Sequence, residues 1–279
     1  MRLNFTKMHG QGNDFVMLNG ITQPFELSAA QVRALANRNT GIGCDQVLVV
    51  EAASVPDADF RYRIYNSDGG EVEHCGNGAR CFVNFVRDEK LTTKHTVIAQ
   101  TLSGNLVLQA RENGEVEVNM GAPRFTPSVI PFVCNDDTAQ LDYSLNVQGM
   151  NLRIAVLSMG NPHAVQRVSN VDTAPVKEDG ALIENHERFP NRVNAGFMQI
   201  VDRGQIRLRV WERGAGETLA CGTGACAAVV AGIRWGLLDA DVAVHMRGGV
   251  LRVQWAGGAQ DHVKLLGPTQ IVFRGHIDI

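Results

Sequence analysis

Two short segments carry the residues with the most chemical potential, Cys75-Gly76-Asn77-Gly78-Ala79 and Cys221-Gly222-Thr223-Gly224-Ala225. Each is followed by a mainly apolar stretch that reads as a helix. A cysteine at a helix N-terminus meets unpaired backbone N–H groups and the positive end of the helix dipole, which favour the reactive thiolate. The same N–H groups can hold a carboxylate, and glycines at the next and third positions keep side chains away from that backbone. A lone Cys-Gly reads as a small buried hydrophobe at a turn. A matched pair points to inversion of a carbon stereocentre, in which a base takes the α-proton from one face while an acid supplies one to the other. Two helix N-termini aimed at the adjacent carboxylate would stabilise the carbanion. A pyridoxal electron sink is then unnecessary, and no Schiff-base signature stands near either motif.

The two segments belong to a longer internal repeat. Residues 65–79 align with 211–225 at a constant offset of 146, each copy giving an aromatic residue, then Gly-Glu, then Cys-Gly-x-Gly-Ala. Weaker echoes pair Gly12-Asn13 with Gly160-Asn161 and Gly43–Val47 with Gly196–Ile200. Two halves of like architecture follow, dividing near Gly121-Ala122-Pro123. Alternation over 61–65, 205–211 and 250–255 predicts antiparallel strands separated by turn residues. Ser28-Ala29-Ala30-Gln31 predicts a capping box opening a surface helix through Asn37, and 175–186 predicts a second surface helix. Residues 79–86 and 225–235 are apolar around most of their circumference, which predicts helices surrounded by protein. The expected fold class is α+β: each half a mainly antiparallel, barrel-like sheet around one buried helix.

The whole chain narrows the field further. Its 279 residues, 44% hydrophobic, can bury one large core or two medium ones. A net charge of −3 without a basic block leaves no electrostatic footprint for nucleic acid or an anionic membrane. No apolar run reaches the length of a transmembrane helix, and the first residues lack an export signal, so a cytoplasmic address is expected. Six cysteines without a CxxC pair read as reduced thiols rather than a disulfide framework or zinc site. Cys44, Cys81, Cys134 and Cys226 are expected to be packed small side chains, and His9, His74 and His186 to be structural.

The motifs together resemble the diaminopimelate epimerase family. The resemblance rests on Met8–Phe15, Cys75–Cys81, Met159–His163, Glu212–Thr218 and Ala220–Cys226, in the family's order and across nearly the whole chain. It implies conversion of LL-2,6-diaminopimelate to the meso isomer on the bacterial lysine pathway, with no cofactor or metal. It also implies two halves, 1–120 with 267–279 carrying Cys75 and 121–266 carrying Cys221, with the active site in the cleft between them. Cys75 and Cys221 then resemble the exchanging acid and base, and His163 and Glu212 the groups that adjust thiol protonation. The amides of Gly76-Asn77 and Gly222-Thr223 would hold the reacting carboxylate. Asn13, Gln46, Asn66, Asn161, Asn194 and Arg213 resemble the substrate-binding set. Neutral hydrogen-bonders with one Arg fork suit a distal amino-acid end. The family is usually homodimeric; Phe273 stands where a Tyr often contributes to the dimer contact, and Thr223 stands where Ser is frequent.

Two alternatives remain at this point. A proline or hydroxyproline racemase-type enzyme also uses two cysteines, and Asn77 with Glu212-Arg213 argues against it. A noncatalytic binding protein on the same scaffold would have no need of both thiols.

Overall fold

Two sequences of strands and helices with the same connections build the chain. The computed structural model describes residues 1–72 and 75–279. His74, read above as structural, and Glu73 lie outside the described residues. The chain divides into one unit of Met1–Asn119 with Leu266–Ile279 and another of Met120–Leu265.

The first unit runs β1 (Arg2–Gly10), β2 (Asn13–Asn19), α1 (Ala29–Ala36), β3 (Gln46–Ala52), β4 (Phe60–Asn66), β5 (Glu71–Val72), α2 (Gly76–Asp88), β6 (Thr96–Thr101), β7 (Gly104–Ala110) and β8 (Val116–Asn119). β1 and β2 pair antiparallel, β2 and β3 parallel across α1, β3 and β4 antiparallel, and β4 and β6 parallel across α2. The second unit repeats the scheme with β9 (Tyr143–Val147), β10 (Met150–Ser158), β11 (Pro162–Arg167), α3 (Val176–Glu184), β12 (Asn194–Asp202), β13 (Gln205–Glu212), β14 (Gly216–Glu217), α4 (Gly222–Arg234), β15 (Asp241–Met246) and β16 (Gly249–Gln254). Its β11 and β12 pair parallel across α3, β12 and β13 antiparallel, and β13 and β15 parallel across α4. The chain leaves this unit through β17 (Lys264–Gly267), and β18 (Gln270–Asp278) returns antiparallel to β1. Two α+β halves of common topology result.

The crossover helices divide by composition into a covered and an outer kind. α2 buries residues 77–83 together with Phe85 and Val86, with Phe82 packed edge-on against Phe60 and Tyr62. α4 buries 224–232, where a run of Ala and Gly lets strands of the surrounding core approach closely. α1 buries only Val32, Leu35 and Ala36, and its Ser28–Gln31 capping box satisfies donors at its N-terminus. α3 is shorter than the sequence suggests. It begins after Pro175 and ends at Glu184, two residues before His186.

The strand pairing corrects one echo. Gln46 stands beside Phe15 and opposite Asn66, and Asn194 stands beside His163 with its neighbour Ala195 opposite Trp211. Gln46 therefore corresponds to Asn194 at an offset of 148, not Gly43 to Gly196. Local glycine spacing had suggested the wrong register because it carries no information about strand partners.

Candidate active site

In each unit three strand ends and one helix start converge. Asn13 opens β2, Gln46 opens β3 and Asn66 closes β4, and parallel pairing of the first two puts all three at one end of their sheet. In the second unit Asn161 precedes β11, Asn194 opens β12 and Glu212 closes β13. The hairpin leading to each cysteine is fixed by a two-pronged ion pair. Arg63 grips Glu71 at 2.8 and 2.8 Å, and Arg209 grips Glu217 at 2.6 and 2.8 Å. These arginines occupy equivalent positions, yet each reads in sequence as an alternating strand charge, so the repeat alone was their signal.

Cys75 caps α2 in an extended conformation, φ −136° and ψ 124°, so the helix starts at Gly76. Its carbonyl accepts from the Tyr62 hydroxyl at 3.3 Å, and its thiol donates to Asn13 Oδ1 at 3.5 Å. Asn77 Nδ2 donates to the same oxygen at 3.2 Å. Across the strands Gln46 Nε2 donates to Asn66 Oδ1 at 2.9 Å, and Gln46 Oε1 is buried without a hydrogen-bond partner among the described residues.

The second glycine of each motif serves packing. A Cβ on Gly78 would stand 2.5 Å from the Tyr62 hydroxyl and 3.2 Å from the Phe15 ring, and one on Gly224 would stand 3.0 Å from a Val210 methyl. These glycines let helix and strand close up, which corrects their reading as openings for a ligand.

Cys221 caps α4 with φ −123° and ψ 109°. Its Sγ accepts from Gly224 N at 3.4 Å and lies 3.6 Å from Thr223 Oγ1. Burial pushes this thiol well above its ordinary range, and the neighbouring Glu212 carboxylate pushes it the same way, against the Thr223 hydroxyl and the Gly224 N–H. The expectation of a thiolate is therefore reversed here. A helix N-terminus contributes at most ~2 kcal/mol, whereas full burial can shift a pKa by ~3–5 units. Glu212 is held by the Thr218 hydroxyl.

His163, only 1% exposed, is pushed down to about 3 by burial and by Arg213, so it is neutral at pH 7. Asn161 Nδ2 donates to Thr223 Oγ1 at 3.3 Å, which leaves Oδ1 to accept from His163 Nε2 at 3.0 Å. The proton thus sits on Nε2, and Nδ1 keeps its lone pair. Asn194 is buried with both ends used: Nδ2 donates to Pro162 O at 3.0 Å and Oδ1 accepts from Arg213 N at 2.9 Å. It sets backbone on either side of the site. Arg213 is exposed, with one guanidinium nitrogen 3.0 Å from Asn191 O.

Glu184 went unnoticed in the sequence. Only 5% exposed, it accepts from Trp211 Nε1 at 2.7 Å and from Gly214 N at 2.8 Å, bracketing Glu212 and Arg213. A glutamate at the end of a helix carries no signal of this role. Cys44, Cys81 and Cys226 are buried, and burial pushes Cys44 up to about 11. Cys134 is half-buried and packs against the hydrophobic cluster that holds Phe132 and Tyr143, with Sγ 2.9 Å from Asp136 O. Among the described residues no three His, Cys, Asp or Glu side chains gather as a metal would need, and no helix is long and apolar enough to cross a membrane.

Paired sheet-and-helix halves define a fold that this chain shares with several solved structures. A hydroxyproline epimerase from Agrobacterium vitis superposes with a TM-score of 0.70 at 15% identity, over 99% of this chain and 92% of that one. A PhzF-family phenazine biosynthesis protein from Bacillus anthracis gives 0.70 at 18% identity, over all of both chains. The sequence profile of the diaminopimelate epimerase family matches residues 5–126 and 155–272. Diaminopimelate epimerases of Cupriavidus metallidurans and Paraburkholderia phytofirmans are 57% and 58% identical over the whole of this chain and 98% and 95% of theirs. The chain belongs to the diaminopimelate epimerase family and is an isomerase.

Proposed function

We propose that this protein interconverts LL- and meso-2,6-diaminopimelate by two-thiol proton transfer, with Cys75 and Cys221 addressing opposite faces of one α-carbon. The observation that carries the reading is the matched pair of capping cysteines, one of them with a carboxylate at its thiol. The relatives' shared name supplies the substrate. Roles exchange with direction: the thiolate removes the α-proton while the other thiol delivers its own. Cys221 rests as the loaded thiol, and Glu212 is the local acceptor that lets it become the base. His163, held neutral and tied to Asn161, adjusts thiol protonation through hydrogen bonding and not by carrying a charge. N–H groups of Gly76-Asn77 and Gly222-Thr223, at the first turns of α2 and α4, hold the reacting carboxylate and meet the charge that develops on it.

Asn13, Gln46, Asn66 and Asn161 offer the neutral polar ends for the substrate. Gln46 Oε1, without a partner among the described residues, is a ready acceptor for an ammonium group. Asn194 acts indirectly, by setting Arg213, whose guanidinium takes the distal carboxylate. The same reading places the enzyme in the cytoplasm, in lysine and peptidoglycan precursor synthesis. It also carries a homodimer, for which exposed Ile271, Val272 and Phe273 on β18 offer apolar surface.

Stereochemical analysis in D2O tests the mechanism. LL-diaminopimelate stopped early should give meso product deuterated at the inverted carbon, with almost no deuterium in recovered substrate. Cys75→Ala and Cys221→Ala should each abolish epimerisation in both directions. Near-wild-type turnover by either variant, or early product free of deuterium, overturns it.

A further inference from the structure

The amides around Cys75 are anchored by charge at both ends. Arg80, fully buried in α2, donates to Asn77 Oδ1 at 2.8 Å and to Gln11 Oε1. A cation can only donate, so the Asn77 amide must turn its nitrogen outward, where Nδ2 donates to Asn13 Oδ1. At the other end Asn13 Nδ2 donates to Asp45 Oδ2 at 2.9 Å, and a carboxylate can only accept. Both constraints agree on one orientation, in which the Asn13 oxygen, not its NH2, meets the Cys75 thiol.

Asp45 is itself fixed. Its Oδ2 also accepts from Asp14 N at 3.2 Å, its Oδ1 accepts from Arg38 at 2.8 Å, and its own N–H donates to Asp14 Oδ1 at 2.8 Å. Asp14 is bound by Arg38 through both oxygens and by Lys7 at 2.6 Å. Burial pushes the Asp14 carboxyl up, but the hydrogen bonds from Arg38, Lys7 and the Asp45 backbone outweigh it and leave it well below the ordinary range. The Arg38–Asp45 pair is half-exposed, and such a pair contributes only ~0–1 kcal/mol of stability. Its consequence lies in orientation.

We propose that Asp45 is a positioning residue for the Cys75 thiol, acting through Asn13 by presenting that amide's oxygen to the sulfur. The inference rests on the reading of Cys75 as a proton-transfer group. An acceptor at Sγ stabilises the thiol form, and an NH2 there would stabilise the thiolate. The polarity of this hydrogen-bond chain therefore sets how readily Cys75 gives up its proton, and it holds Asn13 ready for substrate.

Asp45→Ala tests this in the full-length protein. A methyl group accepts nothing, so Asn13 Nδ2 loses the acceptor that fixes it and the amide is held only from the Asn77 end. The readout is the rate of Cys75 alkylation by iodoacetamide from pH 6 to 10, resolved by peptide mass spectrometry, with thermal melting as a check on folding. Labelling near neutral pH should rise about tenfold, as for a thiol one pKa unit more acidic. KM for diaminopimelate should rise more than kcat falls. In an Asn13→Ala background the same substitution should leave the Cys75 profile unchanged. Asp45→Ser, which also removes the acceptor-only group, should act in the same direction if Asp45→Ala folds poorly. An unchanged profile in a folded variant overturns the proposal, as does a shift of equal size without the Asn13 amide, which would be charge acting through space. Wild-type epimerisation by Cys75→Ser would instead overturn the catalytic reading and leave the labelling result intact.

Discussion

Glu184→Ala should loosen the loop that carries Arg213. The carboxylate takes an indole N–H at 2.7 Å and the Gly214 N–H at 2.8 Å, with Arg192 at 3.3 Å. A hydrogen bond to a charged acceptor contributes ~1.5–3 kcal/mol. Gly214 is exposed and Arg192 is half-exposed, so water can replace Glu184 at both, and the half-buried indole bears most of the loss. A cost of ~3 kcal/mol follows from these terms, equivalent to a fall in Tm of roughly 10 °C for a domain of this size. Glu184→Gln keeps one oxygen but turns an NH2 toward the other donors, so it should lose about half as much. The close approach of α3 to β13 leaves little room to adjust, because a Cβ on Gly180 would stand 2.6 Å from Trp211 Cβ. Thermal melts and kcat/KM should fall together in Glu184→Ala, whereas Trp211→Phe should lower Tm and largely spare turnover, since Gly214 stays held. A Glu184→Ala protein within ~0.5 kcal/mol of wild type, in the range of ordinary surface substitutions, would refute the reasoning. So would simple additivity of the Glu184 and Trp211 losses.

Glu212→Gln removes a charge that raises the Cys221 thiol. Peptide-resolved alkylation of Cys221 should therefore become faster at pH 8 while epimerisation is lost; slower labelling would contradict the assigned electrostatics. Burial pushes His163 down to about 3 from an ordinary histidine value of 6.5, so the unfolded chain binds its proton first. Its contribution to stability is full above pH ~6.5 and lost at ~1.4 kcal/mol per pH unit as pH falls toward 3. Urea melts should show a shallower acid slope in His163→Asn than in wild type, and parallel slopes would count against a buried neutral histidine. Gly78→Ala drives a methyl into the Tyr62 hydroxyl and should cost ~1–3 kcal/mol. Adding Tyr62→Phe should recover part of the lost Tm, and no recovery would locate the strain elsewhere.

The repeat of Cys-Gly-x-Gly, the strand alternation and the Ser28 cap were legible in the sequence because each is a local pattern with a local cause. Spacing of apolar residues separates buried from surface helices, and a cysteine ahead of a helix marks a capping thiol wherever the chain goes next. The second-rank polar contacts had no such signature. Gln46 and Asn194 correspond only through strand register, Glu184 reaches Gly214 from thirty residues away, and Asp45 meets Asn13 across a parallel strand pair. The protonation state of Cys221 likewise belonged to tertiary structure. The sequence offers the helix N-terminus that would ionise a thiol, but desolvation and the Glu212 carboxylate arise only when β13 and α4 pack together. Residue type and spacing determined which groups this protein brings to its chemistry; burial and long-range pairing, which depend on the folded environment, decided what charge and orientation those groups hold.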